Sequence, residues 1–241
     1  MHPLDNVIWS ALTTREAHFA QVSHCARRFA PEVSPLSGFP EARDEHYHSL
    51  SELAGPTGSL AVFLDDPYES RDGWEYVAGA PLLQMIAEKS APDVAANRHH
   101  LQELGAADSR EMLDLTGLTK PGPFGPRTHE LGLYLGIRHA DQLIAMAGER
   151  MKVPGYTEVS AVCTHPDHTG RGYARILMTE IMRRIRERGE TPFLHVRQDN
   201  KKAIGLYELL GFETRKLLHF AVLRRTVSLN TKRDADLSVS R

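Results

Sequence analysis

Between Val159 and Ala174 the chain passes from a strand-like run, Val159-Ser160-Ala161-Val162-Cys163-Thr164, through a turn at His165-Pro166-Asp167 into a short loop with two glycines, Gly170-Arg171-Gly172. A helix opens directly behind the loop, because Ala174, Leu177, Met178, Ile181 and Ile185 share one face at three- and four-residue spacing. Gly189 stops that helix, and Arg186 and Arg188 in its last turn suit the negative end of the helix dipole. A strand, a glycine loop and a helix N-terminus in this order point successive backbone N–H groups outward, and the dipole adds roughly half a positive charge there. Glycine lets an anion such as a pyrophosphate come close to the main chain. The segment therefore reads as an anion site at the end of a strand, or as an ordinary tight turn.

The flanking residues extend the pattern. Strands are expected at 132–138, 142–150 and 156–164, the first two joined by the turn-like His139-Ala140-Asp141, which makes an antiparallel meander. Upstream lie a short strand at 101–104, a helix at 109–118 and a loop at 119–126 kept out of regular structure by Pro121, Pro123 and Pro126. Downstream follow a strand at 193–196, a helix at 200–210 ended by Gly211, and a strand at 217–223. Before residue 95 the signal is mixed: a helix over 8–29 with Leu12, Phe19, Val22 and Phe29 among its apolar positions, a loop at 31–40 and a turn cluster at 55–58. Short strands are expected at 60–64, 74–77 and 82–86, and residues 91–93 read as a linker. A length of 241 residues admits one large domain or two unequal ones. The expected division is an N-terminal α/β extension over 1–95, a main α/β (α+β) domain over 96–228 and a polar, flexible tail over 229–241.

Composition removes several function classes. With 29 Lys plus Arg against 31 Asp plus Glu, the chain lacks the overall basicity of a nucleic-acid binder. Its two cysteines, Cys25 and Cys163, exclude a disulfide framework and a cysteine-rich zinc site and fit a reducing compartment. The N-terminal residues carry Asp5, Arg15 and Glu16 among apolar ones, so no signal-peptide core is read, and no apolar run approaches the ~20 residues that span a membrane. A cytoplasmic protein without a membrane or nucleic-acid partner is expected. The pairs His46/His48, His99/His100 and His165/His168 show neither a cysteine neighbourhood nor a His-Glu-x-x-His pattern, so no metal is expected. The P-loop pattern is absent, and Gly170-Arg171-Gly172 lacks the third glycine of the dinucleotide fingerprint.

Thr169-Gly170-Arg171-Gly172-Tyr173-Ala174 resembles the coenzyme A signature of the GNAT superfamily of N-acetyltransferases, Arg/Gln-x-x-Gly-x-Gly/Ala, with Thr169 standing where Arg or Gln is usual. Downstream, Asn200-Lys201-Lys202-Ala203-Ile204-Gly205-Leu206-Tyr207-Glu208-Leu209-Leu210-Gly211-Phe212 resembles the Asn-x-x-Ala-x-x-Leu-Tyr-x-x-x-Gly-Phe segment of the same family at every named position. The two segments together are most similar to the FR47-like branch, and the resemblance covers residues 98 to 226. It implies a GNAT-like mixed, mostly antiparallel sheet with helices on both faces, in which the strands at 156–164 and 193–196 splay apart at the cofactor site. The stretch before residue 95 would then be a degenerate half of the same fold, or a cap or dimerisation element.

The resemblance also implies roles. The co-substrate would be acetyl-CoA, with backbone groups of Val162, Cys163 and Thr164 along its pantetheine arm. Thr169, Gly170, Arg171, Gly172, Tyr173 and Ala174 would lie around its pyrophosphate. Asn200 matches a position that touches the cofactor, and equally reads as a helix N-cap. Tyr207 matches the general acid that protonates the departing thiolate, and equally reads as core beside Ala203, Leu206 and Leu210. Glu158, thirteen residues before Arg171, stands where some members carry a glutamate base; a solvated strand carboxylate is the plain alternative. His129, Glu130 and His165 are weaker candidates for the base, and Cys163 reads as a packed residue rather than an acyl carrier. The acceptor would be a small-molecule amine or an amino-acid-like compound, bound partly by residues 109–127, with Glu130 and Asp141 able to attract an ammonium group. A homodimer is compatible with this reading. The rival class is a non-catalytic coenzyme A binding or sensing module, which the departure at Thr169 favours and Tyr207 opposes.

Overall fold

The computed structural model describes residues 2–56, 58–89 and 101–226; the expected linker at 91–93, the His99/His100 pair and the tail at 229–241 lie outside these residues. Along the chain the elements are α1 (Val7–Thr13), β1 (Ala20–Ser23), β2 (Ala26–Phe29), β3 (Ser37–Gly38), α2 (Asp44–Ala54), β4 (Ser59–Leu64) and β5 (Trp74–Ile86). They continue with β6 (Gln102–Leu104), α3 (Ser109–Thr119), β7 (Tyr134–His139), β8 (Gln142–Val153), β9 (Tyr156–Thr164), α4 (Tyr173–Glu187), β10 (Thr191–Arg197), α5 (Lys201–Leu209) and β11 (Glu213–Arg225). From residue 101 onward every expected element is present, with ends displaced by a few residues.

Eight strands form one mixed sheet in the order β4-β11-β5-β10-β9-β8-β7-β6, antiparallel throughout except where β9 meets β10. The apolar stripe of α4, Leu177, Met178, Ile181, Met182 and Ile185, is buried against Ile144, Ala145, Ala147, Val159, Leu194 and Val196 of the sheet. Each such side chain stabilises by roughly 1.5–3 kcal/mol relative to exposure, so this face alone anchors the helix. Ile204, Tyr207 and Leu210 bring α5 and its end into the same cluster. On the opposite face, Leu4 and the α1 residues Val7, Ile8, Ala11 and Leu12 lie against Met151, Val153 and Phe193, while Met112 and Leu115 of α3 meet Tyr134, Met146 and Ala161. Helices thus cover both faces.

The first ninety residues depart from expectation in ways the local chemistry explains. The helix expected over 8–29 ends at Thr13, where the Thr13 and Thr14 hydroxyls donate back to the carbonyls of Trp9 and Ser10 and compete with helix propagation. The rest of that stretch forms the β1–β2 hairpin, closed at His24 with φ 40°, and β3 completes a small three-stranded sheet. The strands expected at 74–77 and 82–86 are one strand, β5, whose Gly79 and Pro81 are both accommodated. A Cβ on Gly79 would stand 2.2 Å from the Phe220 carbonyl oxygen, and Pro81 lies just beyond Leu82, where pairing with β10 ends. Because β4 and β5 are members of the large sheet, with β5 between β10 and β11, the expected division near residue 95 does not separate two sheets.

Candidate active site

The parallel pairing of β9 and β10 covers only Thr191↔Tyr156, Pro192↔Thr157 and Phe193↔Glu158. Beyond that pair β9 stays with β8 and β10 stays with β5, so the two strands part over 159–164 and 194–197. At the mouth of this opening β9 carries a bulge: Ser160 faces Gly148 and Cys163 faces Met146, leaving two residues opposite Ala147. Ala161 takes φ 52°, a left-handed conformation that costs a non-glycine residue ~1–3 kcal/mol and that clusters at functional sites. The expected splay is therefore present, and the backbone around Val162 is turned relative to the ladder.

The loop beyond β9 places the rest of the signature. His165 starts a single 3-10 turn over Pro166–His168 by accepting from the Asp167 N–H, and its own N–H donates to the Ile144 carbonyl at 2.7 Å. The Thr169 hydroxyl donates to the Pro166 carbonyl at 3.1 Å, so this side chain is turned back into the turn. Gly170 and Gly172 take φ 78° and 79°, and a Cβ added at either would meet nothing within 4 Å. Glycine is required here by conformation, and the space beside the loop is open. Gly172 is the N-cap of α4 and no side chain caps that end, which leaves the first-turn N–H groups available to an anion. Arg171 and Arg175 are exposed and make no ion pair with any described residue.

Tyr207 lies in the same apolar cluster as Val162, Tyr173, Leu194 and Val196, so both signature segments pack into one core with residues of the parted strands. Its phenol makes no hydrogen bond to a described residue, and burial pushes its pKa up to about 12. It is a protonated acid at neutral pH. Asn200 is an N-cap, its Oδ1 accepting from the Ala203 N–H at 3.1 Å. Cys163 is buried beside Met112, Tyr134 and Met146, and burial raises its thiol to about 11, which leaves it inert as a nucleophile at neutral pH.

Glu158 occupies the last paired position before the parting, but its carboxylate is fully engaged. Arg150 donates to both oxygens at 2.7 Å, His195 Nδ1 stands 2.7 Å from Oε1, and the Met151 N–H reaches Oε2 at 3.4 Å. Burial opposes its charge, yet the Arg150 guanidinium and the His195 hydrogen bond outweigh burial and hold the carboxyl well below the ordinary range. This is a buried ion pair rather than the solvated carboxylate of the plain alternative, and a role as base would require it to act from within that pair. Arg150 and His195 escaped the sequence reading. The available signal was a charged or polar residue inside each of three strand-like runs, all of which fall on interior positions.

Of the weaker base candidates, Glu130 is bound bidentately by Arg127 at 2.8 Å, and His165 packs against His168 with ring centroids 5.8 Å apart. The 119–127 loop is tied to the N-terminal segment by Arg127 N–H to the Glu32 carbonyl (3.0 Å) and by the Thr128 hydroxyl to the Val33 carbonyl (2.5 Å). A cavity of about 770 Å³ opens beside β4, where Asp5, Asp65, Asp66 and Glu69 share the wall with Arg71, Phe39, Tyr47 and Phe63, Asp5 being paired with Arg215 and Asp65 with Lys216. Among the described residues no group of three or more His, Cys, Asp or Glu could hold a metal ion, and no helix is long and apolar enough to cross a membrane.

Parted parallel strands above an uncapped, glycine-led helix are the arrangement that the resemblance of the two sequence segments implied. The model of the FR47-like protein family matches residues 134–220. A solved GNAT-family protein from Novosphingobium aromaticivorans is 34% identical with a TM-score of 0.87, over 94% of this chain and 100% of its own. A GCN5-related N-acetyltransferase from Kribbella flavida shares the fold at 17% identity and a TM-score of 0.55, over 91% and 93% of the two chains. An acetyltransferase of Yersinia pestis is 44% identical over 52 residues, 21% of this chain and 36% of its own, so the chain spans about a third of that curated relative. The chain belongs to the GNAT family of acetyltransferases.

Proposed function

We propose that this chain transfers the acetyl group of acetyl-CoA directly to an amine within a ternary complex. The observation that carries the proposal is the parting of β9 and β10 beyond Glu158 and Phe193, with the bulge at Ala161 on one side and Tyr207 in the apolar cluster that also holds Val162, Leu194 and Val196. The residues present suit the co-substrate: the open N–H groups of residues 170–174, with Arg171 and Arg175 alongside, match a pyrophosphate, and β9 offers an unpaired edge to the pantetheine arm. The amine nitrogen bonds to the acetyl carbonyl carbon, the carbon–sulfur bond breaks, and the Tyr207 phenol gives its proton to the departing sulfur. The acceptor ammonium first gives one proton to water to become the attacking amine, and the second, lost as the amide forms, returns through water to the Tyr207 phenolate, since Glu158 is committed to Arg150 and His195. The acceptor is a cation before it reacts, and the acidic, aromatic-walled cavity beside β4 suits its approach; Phe63 on that wall stands 4.8 Å from the His195 ring.

Calorimetric titration with acetyl-CoA, followed by a screen of amines read by thiol release, tests this function. Tyr207→Phe should lower turnover by ~10²–10⁴ while leaving acetyl-CoA affinity near the native value. An unchanged rate removes Tyr207 from the reaction. Binding without thiol release for any amine would favour the sensing module, a reading supported by the Thr169 hydroxyl being spent on Pro166 rather than offered to a phosphate.

A further inference from the structure

The backbone ladder between β9 and β10 ends at Phe193↔Glu158, yet one link between the strands lies beyond it. His195, two residues further along β10, reaches back across the parting to Glu158, with Nδ1 and Oε1 2.7 Å apart and both side chains almost entirely buried. The surroundings fix which ring nitrogen carries the proton. Gln84 on β5 is fully buried; its Oε1 accepts from Arg215 Nη1 at 2.8 Å, and its Nε2 donates to the Leu4 carbonyl at 3.0 Å. That orientation turns the Nε2 donor toward His195 Nε2 at 3.1 Å, so Nε2 of the ring must accept and Nδ1 must donate to Glu158. Arg150 holds the far side of the same carboxylate through two bonds, and Arg215 is paired in turn with Asp5.

We infer that His195 is a positioning residue: its hydrogen bond to Glu158 is the clasp that sets how far β9 and β10 part, and so where the thioester lies relative to Tyr207. The inference rests on the acetyl-transfer reading for its second half only; the clasp itself is a statement about the strands. A side-chain bond at this point replaces the missing ladder bond without closing the gap to a ligand, because it spans one face of the sheet only. The Arg150 guanidinium keeps the acceptor charged, which strengthens the bond, and Gln84 keeps the ring from turning.

Two variants separate the clasp from general packing. In His195→Asn the side-chain amide nitrogen occupies the place of Nδ1 and still donates to Glu158, but contact with Gln84 is lost. In His195→Gln the longer side chain can accept from Gln84 but leaves Glu158 without its donor. Amide hydrogen exchange over 159–162 and 194–197 should accelerate by at least about tenfold in the Gln variant and by less than about threefold in the Asn variant, with both chains melting cooperatively. Nitrogen-15 NMR of the native histidine should report a protonated Nδ1 and a bare Nε2. With native turnover established, kcat should fall by up to about 10²-fold in the Gln variant and stay within about threefold in the Asn variant, with acetyl-CoA affinity little changed in either. Exchange that is unaltered by the Gln substitution, equal loss in both variants, or a ring protonated on Nε2 alone would overturn the inference. A native chain that binds no acetyl-CoA would defeat the acetyl-transfer reading, while exchange and tautomer would still decide the clasp.

Discussion

Glu158 and Glu16 are each no more than 2% exposed and lie within electrostatic reach of one another, yet the fold treats them in opposite ways. Glu158 is held charged by Arg150 and His195. Neither Glu16 oxygen has a hydrogen-bond partner among the described residues; the side chain leans toward the Lys152 N–H without reaching bonding geometry. Burial, the largest cause, pushes its pKa well above the ordinary 4.5, with the charge on Lys152 opposing. The two therefore contribute stability in different pH ranges. For Glu158, whose folded pKa lies below the unfolded value, stability is present above about 4.5 and is lost as pH falls. For Glu16, whose folded pKa is raised, it is present below about 4.5 and is lost as pH rises through the folded value. Glu16→Gln should accordingly raise the melting temperature in mildly alkaline buffer and do little in acid, measured by calorimetry at the two pH values. An equal effect at both would mean that Glu16 is not held neutral. At this scale the Asn200 cap and the turn at Gly170 and Gly172 were legible, because each is a local feature beside a helix start. Arg150, His195 and Glu16 were not: Arg150 and His195 meet Glu158 only through the pairing of β8, β9 and β10, and the groups around Glu16 come from distant parts of the chain.

The most legible element was the turn from β9 into α4, since strand alternation, glycine pair and amphipathic stripe lie within one local stretch. Its function depends on a conformation as much as on a composition. Gly172 holds the N-cap at φ 79°, and an L side chain there costs roughly 1–2 kcal/mol. Gly172→Ala should therefore shift the loop and weaken acetyl-CoA binding by roughly tenfold, read by calorimetry, with the melting temperature lower by only a few degrees; full affinity would place the phosphates elsewhere. The elements that sequence misjudged share one property. In α1, β1 and β2 the deciding signals are hydroxyl-to-carbonyl bonds at Thr13 and Thr14 and a left-handed residue at His24, none of which disturbs apolar spacing. α2 announces itself only by Asp44 and Glu45 in its first turn and Gly55 at its end, with φ 70°. In β5, Gly79 and Pro81 look like breakers until the neighbouring β11 and the end of β10 are in place.

The whole molecule is bound together by β5, which pairs with β10 on one side and β11 on the other, so residues from both ends of the chain alternate across one sheet. Sequence spacing carried no trace of this arrangement, because pairing between 74–86 and 213–225 leaves no local signature. A chain shortened to residues 96–241 would lose the strand between β10 and β11 together with Gln84 and the α1 face that covers Met151, Val153 and Phe193. Such a fragment should fail to fold: no cooperative melting transition and no acetyl-CoA binding. A soluble, cooperatively melting fragment would show the C-terminal part to be self-sufficient.

The threading of β5 also bears on how the protein is made. β4 and β5 leave the ribosome early, but β4 has its partner in the large sheet only in β11, and β5 must await β10 and β11. At ~5–20 residues per second the interval is on the order of ten seconds, during which two apolar strands have unsatisfied edges. A chain cut short before β11 leaves β4 without its ladder partner and β5 with one edge open.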